Sequence, residues 1–135
     1  MKKLLVIDGQ GGKIGMQIIS AVREMELPVY ITAVGTNSIA TANMLKCSPD
    51  GAATGENPVV VACRDADVIV GPVGIAIADS LLGEVTPKMA NAVGQSRAVR
   101  ILIPVNKCES LVVGIKDAPF AELIREAVEK IKELL

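Results

Sequence analysis

The stretch Leu4-Leu5-Val6-Ile7-Asp8-Gly9-Gln10-Gly11-Gly12-Lys13-Ile14-Gly15 decides how the rest of the chain is read. Four consecutive apolar residues with no polar alternation suit a strand buried on both faces, and such strands belong to parallel sheets covered by helices. After Asp8 come Gly9, Gly11, Gly12 and Gly15, and then Ile14, Ile18, Ile19, Val22 and Met25 recur at helical spacing until Pro28 breaks the pattern. A strand, a glycine-rich turn and an amphipathic helix in direct succession form the context in which a βα turn holds phosphate. Glycine permits positive φ and a close approach to the backbone, whose N–H groups at the helix start face the ligand.

Working outward, the same alternation continues. Val29 to Val34, Val68 to Val70 and Val99 to Ile103 are short β-branched runs. Helical patterns fall over Ser38 to Lys46, Ile75 to Leu82 and Pro87 to Val93, and a long stripe runs from Phe120 through Leu123, Ile124, Ala127, Val128 and Ile131 to Leu135. Pro58 to Arg64 is read as a short helix with Asn57 as its cap, although Val59, Val60 and Val61 favour a strand. Asp50 to Glu56 reads as a flexible connector. Leu111 to Ile115 reads as the last strand, and only seven residues separate it from Ile103, too few for a parallel crossover, so it is expected to be antiparallel. The expected architecture is one α/β domain over residues 1–135. It has a Rossmann-like, doubly wound, mostly parallel sheet of about five strands with helices on both faces.

Half of the 135 residues are apolar, and a mean hydropathy of +0.45 suggests surface hidden against a second copy, a homodimer. Fourteen basic residues nearly balance fifteen acidic ones without long runs of one sign, which leaves no electrostatic footprint for nucleic acid or an anionic membrane. Tyr30 and Phe120 are the only aromatic residues, too few for base-stacking platforms. Leu4 to Ile7 is too short for a signal-peptide core, and Val68 to Ala78 is interrupted by Gly71, Pro72 and Gly74, so the expected location is the cytoplasm. Cys47, Cys63 and Cys108 lie far apart, and the chain has no histidine; no conventional zinc site is expected, and the cysteines read as small buried hydrophobes.

The turn departs from both well-known phosphate loops. GxGxxG would put its third glycine at Ile14, whereas the glycines here fall as GxGGxxG. A Walker A loop would place Ser or Thr after its lysine, and Lys13 is followed by Ile14. At the end of the second strand, Gly35-Thr36-Asn37-Ser38 lacks the acid that holds an adenine ribose, which weakens a nicotinamide cofactor. Ligands in open parallel sheets bind beyond the carboxyl ends of strands, so four loops should share one crevice. The candidate binding residues are therefore Gly9, Gln10, Gly11, Gly12, Lys13 and Gly15 of the turn, Gly35, Thr36 and Asn37, Gly71 and Gly74, and Asn106 and Lys107. Lys107 is expected to project into the crevice opposite the positive end of the first helix. The available acids and bases are Asp79, Glu84, Lys107, Cys108 and Glu109; spacing marks out none of them, and each also reads as a cap, an ion-pair partner or a solvated loop residue.

The segments DGQGGKIG (8–15), TGENPVVVACRDADVIVGPVGI (54–75), LLGEVTPKMANAVGQS (81–96) and ILIPVNKC (101–108) together resemble a short bacterial family labelled as a domain of unknown function. The resemblance covers nearly the whole chain. It implies no substrate, cofactor or catalytic residue, but it does imply that these loops form one constellation. Three functional readings stand: a protein that holds an anionic metabolite, foremost a nucleotide, at the glycine turn; a non-catalytic homodimeric accessory subunit; and, third, a nicotinamide-dependent reductase.

Overall fold

A computed structural model describes residues 1–105, 110–115 and 117–135. The strands β1 (Lys2–Asp8), β2 (Val29–Gly35), β3 (Gly51–Thr54), β4 (Val68–Pro72) and β5 (Val99–Ile103) form one sheet in the order β3-β2-β1-β4-β5, and every neighbouring pair is parallel. This is the doubly wound, Rossmann-like order. From β1 the chain steps outward to β2 and β3, then returns to lay β4 on the other side of β1. The switch point therefore lies between the carboxyl ends of β1 and β4.

Side-chain alternation along β1 feeds two cores. Leu4 and Val6 pack with Ile14, Ile18, Ile19 and Val22 of α1 (Lys13–Glu24), Met44 of α2 (Ser38–Leu45), and Ile124, Val128 and Ile131 of α5 (Phe120–Leu134). Leu5 and Ile7 face the other way, toward Val59 of α3 (Glu56–Ala62) and Met89, Ala90 and Val93 of α4 (Pro87–Gln95). Both faces of the sheet are covered, so its strands carry the continuous apolar runs of their sequence.

Local chemistry explains the helix starts. Asn37 caps α2 by accepting the Ala40 N–H, and Thr86 caps α4 by accepting the Met89 N–H, with Pro87 as the first helical residue. Residues 58–64 are largely helical, as expected, although α3 begins at Glu56 behind Gly55 rather than behind Asn57.

Three expectations need correction. The connector at 50–56 contains β3, whose small residues Gly51, Ala52 and Ala53 carry little strand propensity; pairing with Thr32, Ala33 and Val34 on the open edge of β2 creates the strand. Residues 111–115 are not an antiparallel strand. They have no regular structure, and Leu111 and Val113 are 94% and 97% exposed, so strand-forming side chains without a face to pack against stay unpaired. The helix expected over 75–82 is a 3₁₀ turn (Val73–Ala76) followed by turns, in which Asp79, Leu81 and Leu82 adopt left-handed φ of 65°, 55° and 58°. There the Ser80 hydroxyl donates to the Gly74 carbonyl, a local alternative to the helical ladder. Among the described residues, no helix is long and apolar enough to cross a membrane.

Candidate ligand-binding site

The register pairs Asp8 with Gly35, so the turn after β1 lies beside the turn after β2. The Gly12 N–H donates to the Gly9 carbonyl at 2.9 Å, closing a tight turn through Gln10 at φ 50°. Gly12 precedes α1 at φ 72°, and a Cβ there would lie 2.8 Å from the Ala40 carbonyl oxygen, so both its conformation and its surroundings require glycine. Two amides of the second loop and helix grip the turn's carbonyls: Asn37 Nδ2 donates to Gln10 O at 2.9 Å and Asn43 Nδ2 to Gly11 O at 2.7 Å.

Most N–H groups of the turn already have acceptors. Asp8, 4% exposed, accepts the Gly9 N–H on Oδ1 and the Gly15 N–H on Oδ2, both at 2.8 Å. Its carboxylate caps α1 from the end of β1 and sits where the positive end of the helix is strongest. Burial pushes its carboxyl above the usual aspartate range, while the hydrogen bonds from Gly15, Gly9 and Ile14 hold the shift back. The Gln10 N–H donates to Glu84 Oε1 at 2.9 Å; the Thr36 hydroxyl and Asn37 Nδ2 donate to the same oxygen, each at 2.7 Å. Burial works against the charge on Glu84, but these three bonds outweigh it and hold the carboxyl below its ordinary value.

The Gly11 and Lys13 N–H groups are left without a protein acceptor among the described residues. Both border a cleft of about 370 Å³ that runs from Asp8 to Ile14 on one side and is closed by Val105 and Phe120 on the other. The Lys13 ammonium stands 4.9 Å from the centroid of the Phe120 ring, a cation–π contact that holds the charge at the rim. Larger clefts lie elsewhere, about 560 Å³ between β5 and α5 and about 390 Å³ between α3 and α4. Neither is lined by the glycine turn, and neither adjoins the switch point of the sheet.

A family model described as "Domain of unknown function (DUF3842)" matches residues 3–135. The chain belongs to the DUF3842 family. No curated protein matches the sequence. Among solved structures, a dodecameric FMN-dependent UbiX-like decarboxylase from Escherichia coli O157:H7 is similar at a TM-score of 0.48 and 16% identity, over 97% of this chain and 75% of that one. A likeness of that size says nothing of ligand or assembly.

The DUF3842 chain brings Gly9, Gln10, Gly11, Gly12, Lys13, Thr36 and Asn37 together around one turn. Gly15, Gly35 and Gly71 are present for packing: added Cβ atoms would meet Met44, Thr41 and the Ile7 carbonyl respectively. Gly71 lies within β4, and Gly74 spends its carbonyl on Ser80. Asn106, Lys107, Cys108 and Glu109 fall outside the described residues. Cys63 is buried, which pushes its thiol up to about 11, so it is packing material at neutral pH. Sequence reasoning missed Asp8 and Asn43 and had no reason to single out Glu84. An acid at the strand end ahead of a glycine turn could have signalled Asp8. Nothing in the sequence joins Glu84 to Gln10, 74 residues away.

Proposed function

We propose that this protein binds a small anionic metabolite, foremost a nucleotide, in the cleft beside the glycine turn. Its phosphate or carboxylate would accept from the Gly11 and Lys13 N–H groups and pair with the Lys13 ammonium. The observation that carries this reading is the pair of N–H groups, without an acceptor among the described residues, at the start of a twelve-residue helix, on residues that line a cleft together with the Lys13 side chain. A Cβ at Gly11 would meet nothing within 4 Å, so this is the one glycine of the turn with open space before it. The surrounding residues suit binding: backbone donors, one lysine and the apolar side chains of Ile14, Val105 and Phe120 line the cleft.

Thermal-shift screening against nucleotides and phosphorylated metabolites tests the proposal, because a ligand that binds only the folded state raises the melting temperature. The expected result is a saturable rise with at least one nucleotide that Lys13→Ala reduces by about one to two decades in affinity, the value of a charge-assisted hydrogen bond. No shift at millimolar concentration with any member of the panel would remove the reading.

The second reading, a homodimeric accessory subunit in the cytoplasm with purely structural glycines, draws support from the crowding at Gly9, Gly15, Gly35 and Gly71 and from the exposed apolar side chains of residues 111–115. A monomer in sedimentation equilibrium at micromolar concentration would count against it. Nicotinamide-dependent reduction ranks third, and NADH fluorescence unchanged by excess protein would dispose of it.

A further inference from the structure

We propose that Glu84 is a built-in occupant of an oxyanion cradle, and that the loop carrying it, residues 77–85, is a plug which the phosphate or carboxylate of a ligand displaces. This rests on the glycine turn being the anion site described above, and it extends that site across the turn, from the Gly11 side to the Gln10 side.

The cradle consists of one backbone N–H, one hydroxyl and one amide, from Gln10, Thr36 and Asn37, and all three converge on Glu84 Oε1 at 2.7–2.9 Å. Such a donor set selects an anionic oxygen. Nothing in it requires that the oxygen belong to a glutamate of the same chain. Its donors come from the two turns that follow adjacent parallel strands, β1 and β2, beside the switch point where open α/β sheets bind ligands. The same loop fills the space above: Leu81 is 5% exposed, and its Cδ1 would lie 2.8 Å from a Cβ at Gly9. With the loop in place Glu84 occupies the cradle, and the walls of the neighbouring cleft include none of Thr36, Asn37 and Glu84.

The loop is also strained. Asp79, Leu81 and Leu82 are non-glycine residues at φ 65°, 55° and 58°, conformations that persist only where the surroundings hold them. Backbone bonds within the loop, such as Asp79 N–H to the Val85 carbonyl and Val85 N–H to the Ser80 carbonyl, hold its turns, and the three bonds to Glu84 tie it to the glycine turn and the turn after β2. Replacing Glu84 by an external oxyanion releases the side-chain tie between this loop and the two turns, and the strained backbone around Leu82 and Gly83 is then free to relax. Electrostatics favours the exchange over simple addition, because one carboxylate leaves as one anion enters, and with a monoanion the charge facing the buried Asp8 does not grow.

The experiment is a calorimetric titration of inorganic phosphate, and separately of acetate, into the wild-type chain, Glu84→Ala, and Glu84→Ala combined with Thr36→Val. Glu84→Ala should bind one of the two anions roughly tenfold more tightly than wild type, and adding Thr36→Val should remove most of the gain. The anion that gains identifies the class of ligand group. Equal or weaker binding of both anions by Glu84→Ala, or a gain indifferent to Thr36→Val, would overturn the plug. If Glu84→Ala does not fold, Glu84→Gln serves with hydrogen exchange as the readout: either anion should slow exchange at the Gln10 N–H, and no slowing at saturation overturns the proposal. Wild-type phosphate binding that Lys13→Ala abolishes but Glu84→Ala does not tighten would leave the anion site standing without the plug. Absence of binding in wild type and in both Glu84 variants would overturn both.

Discussion

A methyl group added at Gly71 would land on the Ile7 carbonyl oxygen, whereas one added at Gly11 would meet nothing within 4 Å. Backbone cannot swing aside as a flexible side chain can, so Gly71→Ala should destabilise by about 1–3 kcal/mol, and Gly11→Ala should stay within about 0.5 kcal/mol of wild type. Urea denaturation of the two variants checks the contrast, and equal losses would refute the division between packing glycines and the open one. The pH dependence of Glu84 belongs at this scale too. Its folded carboxyl lies below the ordinary glutamate value, so its hydrogen bonds contribute fully above that value and are lost as the pH falls through the lower folded one. Asp8 runs the other way: burial raises its carboxyl, so its contribution is greatest below the ordinary aspartate range and declines as the pH rises through the raised value. Urea midpoints measured from about pH 6 to pH 3 should fall in wild type below about pH 4.3, with a smaller fall in Glu84→Gln. Parallel curves for the two proteins would mean that Glu84 holds nothing in the folded state. The glycines were readable as a turn because their spacing interrupts a helix pattern. Their division into packing and open positions depends on Ile7, Thr41 and Met44, which no spacing links to them.

Among the elements, the buried strands and the long amphipathic helices were recovered from their own apolar runs and stripes, and the edge strand β3 was not. α1 and α5 carry their burial pattern in their own sequences, with Ile14, Ile18, Ile19 and Val22 in one and Ile124, Val128 and Ile131 in the other. β3 is a strand because β2 offers it an edge, while residues 111–115 have strand-like side chains and no partner among the described residues; propensity misread both. The loop at 77–85 misled for a further reason. Its apolar spacing suits a helix, but Ile75 and Leu81 reach the same core through left-handed turns. Leu82 gains nothing from its conformation, since its side chain is 97% exposed at φ 58°. Asparagine tolerates that region, so Leu82→Asn should stabilise by up to about 1 kcal/mol and raise the melting temperature by about 3 °C. A lower melting temperature would show that the left-handed turn carries no strain.

At the scale of the whole molecule, the strand order β3-β2-β1-β4-β5 fixes where a ligand can sit. It brings the carboxyl ends of β1 and β2 together and leaves the switch point beside β4, so the glycine turn, the Thr36–Asn37 turn and the Glu84 loop meet although they are far apart in the chain. The doubly wound class could be read from the alternation of strands and helices, because each buried strand announces itself by an unbroken apolar run. The closing of the crevice by Glu84 could not, since it follows from a tertiary contact over 74 residues. The central claim is that the turn receives an anion at Gly11 and Lys13. Its most direct test is a titration of adenosine monophosphate into ¹⁵N-labelled protein, following backbone amide resonances. Saturable shifts led by the Gly11 and Lys13 amides are expected. Shifts confined to another cleft, such as the groove lined by Lys88, Asn91 and Gln95, or no shifts at millimolar nucleotide, would contradict it.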